Sequence, residues 1–322
     1  MKKKLSLIIV LLLLIVGGVA AWWVTAISPV DISDKSTQLF VVKKGEGVRE
    51  IAKNLKDENL IRDPVAFFLI IRQQNLDNKI QAGDFRLSKS MSSQKIAGNL
   101  THGSLDEWVT FPEGVRAEEI ADILKGKIKT YDESWRPALA QHEGYLFPDT
   151  YLIPTDATVD NVISIMTNTF ETKYALVSGP RTTKLTKEEL ITIASMVERE
   201  ARFADDQPLV ASVILNRLQI GMALNIDATI QYALGYQTDQ QSWWKHGLTY
   251  DDLRIKSPYN SYTNPGLPPT PISNPGLAVM QAVANAPETN YVYYVSDKQG
   301  HNHYATTLQQ HNANIQKYGV QN

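Results

Sequence analysis

The sequence predicts an α+β chain in three parts: a single membrane-spanning helix, a small βααβ unit and a larger α+β domain. Three observations carry this. An uncharged apolar run, Leu5 to Ile27, follows Lys2, Lys3 and Lys4. After it, short β-rich runs alternate with stretches of helical periodicity. A strand-turn-helix pattern also recurs. Glu46-Gly47-Val48-Arg49-Glu50-Ile51-Ala52 returns as Glu113-Gly114-Val115-Arg116 and, two residues later, Glu119-Ile120-Ala121. Each copy follows a β-rich run, Phe40 to Val42 and then Trp108 to Phe111.

The apolar run is long enough to span, since about 20 residues cross the hydrocarbon core of a bilayer. Lysines before it hold the N-terminus in the cytoplasm, and Trp22-Trp23 suit the far interface. The run exceeds a signal-peptide core, and Val19-Ala20-Ala21 is a poor cleavage site, so the anchor is expected to be retained. The chain is then single-pass in the cell (inner) membrane. Residues 1–4 form a cytoplasmic tip, 5–27 the anchor and 28–38 a polar linker. Two folded units follow outside the cytoplasm, 39–107 and 108–322.

Composition narrows the chemistry. The chain has 322 residues and a formal net charge of -2, so no bulk field draws nucleic acid. It has no cysteine, which excludes disulfides, thiolate metal sites, a cysteine nucleophile and a lipoprotein anchor. The six histidines are scattered. His301-Asn302-His303 offers two at i, i+2 without a third ligand, too little for a metal site.

In the first unit, Leu39 to Val42 reads as a strand and Lys43 to Gly47 as a turn. Val48 to Leu60 reads as a helix with Val48, Ile51, Ala52 and Leu55 on one face. Asp63-Pro64 opens a second helix. Gln81 to Leu87 reads as turn and strand, and Ser92 to Leu100 as a short helix ending at His102-Gly103. In the second unit, Lys125 to Arg136 reads as an exposed connection. His142 to Tyr151 gathers a carboxylate and several aromatics, suiting either a sugar-stacking cleft wall or an aromatic mini-core. Helices are expected over Thr158–Tyr174, from Pro208, over Ala228–Leu234 with Asp227 as N-cap, over 277–286 and over 307–318. Asn290 to Val295 reads as a strand. Lys256 to Gly276 holds six prolines and forms neither helix nor strand. It can present Tyr259, Asn260 and Tyr262 to a polar ligand.

The chemistry is expected between Lys187 and Asp227. Thr186 and Glu189 make a capping box. Leu190, Ile193, Ala194, Val197 and Ala201 then form one apolar face. Arg199 falls opposite, with Ser195 and Thr192. Glu198 and Glu200 flank the apolar stripe. A carboxyl there can lose water, keep its proton near neutral pH and act as a general acid. A solvated Glu-Arg-Glu helix end fits the same periodicity, and the helical wheel does not choose between the two acids.

Two resemblances sharpen this. FVVKKGEGVREIAKNL, from Phe40, resembles a LysM module, a βααβ domain that binds N-acetylglucosamine-containing glycans or acts as a spacer. Glu46 stands where that module has aspartate. Farther on, EGYLFPDTY, IASMVEREA, VILNRLQIGMALNIDATIQYALG, SPYNSYTNPGLPPTPISNPG and YVYYVSDKQGHNHY occur in order. Together they resemble the endolytic murein transglycosylases, the YceG-like proteins, from about Trp108 to Tyr318. The resemblance implies a lyase of cell-wall peptidoglycan that cuts the MurNAc-GlcNAc bond of nascent strands and leaves 1,6-anhydroMurNAc ends. It implies Glu200 as the catalytic acid, the second glutamate of Glu198-Arg199-Glu200, and no metal or cofactor. Glu143, Asn216, Tyr259, Asn260 and Tyr262 are the candidates for gripping glycan, and His301 and His303 receive no role. The expected partners are glycan strands, the membrane and peptidoglycan synthases. The alternatives are a non-catalytic glycan-binding tether of a wall-synthesis complex and a hydrolytic muramidase.

Overall fold

The computed structural model describes residues 2–101 and 106–318, with the side chains of the first helix described from residue 14 onward. Among these residues the fold is α+β, with twelve α-helices and three two-stranded sheets. The chain divides into two compact units, Met1–Glu107 with Pro154–Asp156, and Trp108–Ile153 with Ala157–Asn322.

The first unit carries α1 (Lys2–Ile27), β1 (Thr37–Val42), α2 (Val48–Asp57), α3 (Pro64–Gln73), β2 (Gly83–Ser88) and α4 (Ser93–Thr101). β1 pairs antiparallel with β2, with Phe40 opposite Phe85. Alternation on β1 buries Phe40 and Val42 and exposes Leu39 and Val41. Asp63 caps α3 as its sequence predicts. Its Oδ1 accepts from the N–H groups of Val65 and Ala66 at 2.8 and 3.0 Å, and Pro64 takes the first turn. Ile51, Leu55, Phe67, Ile70, Ile96 and Leu100 close one core beneath the sheet. His102 and Gly103, the expected end of α4, lie outside the described residues.

The expected anchor is corrected here. Among the described residues, no helix is long and apolar enough to cross a membrane. The end of α1 is also committed to protein: Ala26 is buried, and Trp23 and Ile27 pack on the first core. The single-pass placement and cytoplasmic N-terminus built on that anchor fall with it. The side chains of the proposed tip, residues 1–4, lie outside the described ones.

Next come β3 (Asp106–Thr110), α5 (Ala117–Lys125), α6 (Trp135–Ala140), β4 (Thr150–Pro154) and α7 (Val159–Tyr174). β3 pairs with β4. Val109, Ile120, Leu124, Ile153, Val162 and Met166 share a core with Ile128 and Trp135. Lys125 to Arg136 is therefore not simply an exposed connection, because Ile128, Tyr131 and Trp135 help close that core. His142 to Tyr151 takes the mini-core form. Leu146, Phe147 and Tyr151 are buried, and the Tyr151 hydroxyl donates to the Phe147 carbonyl at 2.7 Å.

The remaining elements are α8 (Lys187–Glu200), α9 (Gln207–Gln219), α10 (Asp227–Leu234), α11 (Leu277–Ala284), β5 (Tyr293–Ser296), β6 (Asn302–Ala305) and α12 (Leu308–Tyr318). β5 and β6 form an antiparallel hairpin. α8 is the centre of this core and is buried on every side from Leu190 to Val197. The side of α8 that carries Thr192 and Ser195 is therefore not a solvent face. The Ser195 hydroxyl donates to the Thr192 carbonyl at 2.8 Å and accepts from the Ile272 N–H at 3.0 Å. The Ser273 hydroxyl donates to the Ser195 carbonyl at 3.0 Å. The proline-rich loop thus covers that side, and the buried polar groups satisfy one another.

Gly144 sits at φ +86°, where a Cβ would lie 2.4 Å from Pro271 Cγ and 2.5 Å from Pro271 Cβ. Left-handed backbone alone costs a side-chain-bearing residue about 1–2 kcal/mol. Gly144→Ala should cost more than that, because the stiff proline ring cannot step aside. Denaturant titration checks this, and an unchanged midpoint at unchanged slope would refute it.

Candidate active site

The site grows from the end of α8. The capping box starts the helix: the Thr186 hydroxyl accepts from the Glu189 N–H at 3.1 Å, and the Glu189 carboxylate accepts from the Thr186 N–H at 2.8 Å. Burial of Leu190 to Val197 holds its axis. Ala201 turns extended, at φ -107° and ψ 103°, so the helix stops at Glu200. The carboxyl therefore emerges at the edge of the core rather than in open water. It faces a cleft of about 450 Å³. Arg217 from α9, Asp227 from α10, Tyr262 from the proline-rich loop, Tyr294 from β5 and His311 from α12 supply other walls.

Each wall residue is held. The Tyr294 hydroxyl donates to Glu200 Oε2 at 2.8 Å. Burial, followed by the Glu200 charge, pushes that phenol well above the ordinary tyrosine range, so it stays a donor. The Tyr262 hydroxyl donates to Asp227 Oδ1 at 2.5 Å. Arg217 donates from Nε to the Val292 carbonyl at 2.6 Å and from Nη1 to the Leu224 carbonyl at 2.5 Å. Two carbonyls thus fix a cation on the cleft. His311 stacks on Tyr293 at 5.1 Å, and its Nδ1 is buried without a hydrogen-bond partner among the described residues. Burial and the Arg217 charge hold its imidazole below the ordinary value.

The surroundings of Glu200 favour its protonated form. Burial pushes its carboxyl above the ordinary glutamate value. The Tyr294 hydroxyl pulls the other way, the Asp227 charge adds to the rise, and the Ala228 N–H and Arg199 oppose it. Burial also raises Glu198, but Glu198 Oε2 accepts from the Gly276 N–H at 2.9 Å and does not line the cleft. The two acids thus have different surroundings: one holds a loop and the other opens on a cavity.

Of the expected gripping residues, only Tyr262 joins Glu200 on the cleft. Asn216 donates from Nδ2 to the Thr289 and Tyr291 carbonyls at 2.9 and 2.8 Å and ties α9 to the approach of β5. Asn260 is fully buried and shapes its own loop, donating to the Leu253 and Ile255 carbonyls and accepting from the Tyr262 N–H. The Tyr259 hydroxyl pairs with Thr270 at 2.7 Å, and its ring lies 4.8 Å from that of Tyr232. Glu143 is buried behind α5, accepting from the Ala117 N–H at 3.1 Å and from Asn274 Nδ2 at 2.9 Å. These four support the frame.

His303 pairs with Asp297 at 2.9 Å and stacks on Tyr318, while His301 stacks on Phe203. Neither reaches the cleft lining. Sequence reasoning assigned no site role to Arg217, Asp227, Tyr294 or His311. Asp227 carried a local signal that misled: it reads as an N-cap, yet Ile226 holds that position and Asp227 is the first helical residue.

The family model described as YceG-like family matches residues 40–317. The match takes in the first unit and does not set residues 39–107 apart as a LysM module. The chain is 31% identical over 325 residues to an endolytic murein transglycosylase of Bacillus subtilis, with 91% of this chain and 88% of that one aligned. It is 29% identical over 338 residues to an endolytic murein transglycosylase of Streptococcus pneumoniae, covering 91% of this chain and 60% of that one. A crystal structure described as a yceG-like protein of Listeria monocytogenes superposes with a TM-score of 0.54 at 27% identity, over 87% of this chain and 99% of that one.

Proposed function

The chain belongs to the YceG-like family, and from that membership we propose that Glu200 is the single catalytic acid of an endo-acting peptidoglycan transglycosylase. The protein is a lytic transglycosylase that cleaves peptidoglycan. The observation that carries the role of Glu200 is its position: a half-buried carboxyl, raised by burial, on the polar cleft at the end of α8.

Protonated Glu200 gives its proton to the glycosidic oxygen between N-acetylmuramic acid and N-acetylglucosamine. The C1–O bond breaks, and the N-acetylglucosamine leaves with its hydroxyl. The muramyl 6-oxygen then closes on C1, and its proton returns to the Glu200 carboxylate. A 1,6-anhydro end forms and the acid is regenerated. The nucleophile is part of the substrate, so its attack gains the large effective concentration of an intramolecular reaction. Tyr294 orients the Glu200 carboxyl, and Tyr262, on the same cleft, is the proposed glycan contact. The catalytic domain is assigned to 108–322, and peptidoglycan synthases making nascent strands are the proposed working partners.

The test is the product. Uncrosslinked glycan strands incubated with the protein should acquire 1,6-anhydromuramyl ends, one water lighter than reducing ends by mass spectrometry. Reducing ends alone would replace this reading with a muramidase. Intact strands under every condition would leave a non-catalytic glycan tether.

A further inference from the structure

We propose that Asp227, clamped by Tyr262, is a positioning residue whose fixed negative charge stands in the same cleft as Glu200 and keeps that acid loaded for proton transfer. The proposal rests on the function read above. Two carboxylates enter one cleft from two helices, each held by its own tyrosine. Glu200 ends α8 and accepts from Tyr294 at 2.8 Å. Asp227 opens α10 and accepts from Tyr262 at 2.5 Å. Asp227 has no capping task, since Ile226 holds the N-cap position. Asp227 is instead exposed and lines the cleft.

The charges around Glu200 show why such a group is needed. Arg199 lies on its own helix, and Arg217 comes from α9. Tyr262 comes from the proline-rich loop, Tyr293 and Tyr294 from β5, and His311 from α12. The Tyr294 hydroxyl, the Ala228 N–H and Arg199 favour the ionised carboxylate, and the Glu200 charge in turn favours the charged form of Arg217. Among the described residues lining the cleft, Asp227 is the one other acid. Its charge opposes ionisation of Glu200. Without it, the cations and donors would strip the acid of its proton at lower pH. Two carboxyls in one site with opposed roles is a recurring way to run acid catalysis near neutral pH.

The experiment is a pH profile of kcat/KM on glycan strands for wild type, Asp227→Asn, Asp227→Ser and Tyr262→Phe. Both neutral substitutions at 227 should move the alkaline limb to lower pH. On that limb, activity at fixed pH should fall below that of wild type. Tyr262→Phe leaves the charge in place and should lower turnover without moving the limb acidward. A readout independent of activity is the infrared carbonyl band of protonated Glu200, assigned by its loss in Glu200→Gln. The band should disappear at lower pH in both 227 variants. A limb and band that stay put, or move to higher pH, would overturn the proposal. Product identity separates the two claims: reducing ends from wild type would refute the lytic chemistry, while the band titration would still decide the role of Asp227.

Discussion

Glu200→Gln is expected to lower turnover on uncrosslinked glycan strands by roughly 10²–10⁴-fold, the usual contribution of a positioned acid-base group. The amide keeps the shape of the side chain and an oxygen for the Tyr294 hydroxyl, now at 2.8 Å from Oε2. It cannot deliver a proton to the leaving oxygen. The fold should survive, because α8 is held by its buried residues Leu190 to Val197 and not by its last carboxyl. Thermal unfolding near that of wild type is the control. Wild-type activity should fall as pH rises through the raised Glu200 value, since the ionised form has no proton to give. Glu198→Gln should be much milder for turnover. That side chain accepts from Gly276 at 2.9 Å and does not line the cleft, so its change weakens a loop contact instead. A dead Glu198→Gln beside an active Glu200→Gln would place the acid on the wrong residue.

The second large effect is on stability and lies at Glu143. Its side chain is almost fully buried, accepting from the Ala117 N–H at both oxygens and from Asn274, with the Tyr232 hydroxyl at 3.4 Å. Burial pushes its carboxyl from the ordinary 4.5 to about 8, against the pull of the Ala117 N–H and the nearby Arg116. The sign follows from proton counting. Between pH 4.5 and about 8 the folded chain holds this proton more often than the unfolded chain. Stability therefore falls as pH rises through that window. The full loss is on the order of 4 kcal/mol. Glu143→Gln keeps the shape and cannot ionise, so it should remove this fall. The variant should match wild type near pH 4 and exceed it by a few kcal/mol near pH 8. Urea unfolding at both pH values measures it, and parallel pH dependence in the two proteins would sink the claim.

Local chemistry was legible without coordinates wherever its cause lies within a few residues. The Thr186–Glu189 capping box and the Asp63-Pro64 helix start depend on near neighbours, and each forms as read. Ordered motifs from EGYLFPDTY to YVYYVSDKQGHNHY carried the family resemblance. The same local view misread Asp227 as a cap and the apolar run at the N-terminus as a spanning helix, and it did not show that Asn216 and Asn260 bond to backbone carbonyls. Hydropathy counts residues along the chain, but it does not say that the end of α1 packs on the first core. Nor does a helical wheel say which of two acids flanking a stripe meets a cavity.

Those outcomes were decided by tertiary structure. Glu200, Arg217, Asp227, Tyr294 and His311 sit on five different elements and meet only when α8, α9, α10, β5 and α12 pack together. The sequence alone determined that a carboxyl pair would end a well-capped helix. Packing determined that Glu198 would hold a loop while Glu200 opened on a polar cleft. The reason is range: periodicity and capping act over about four residues, whereas burial and charge at a site are set by whatever the fold brings within a few ångströms.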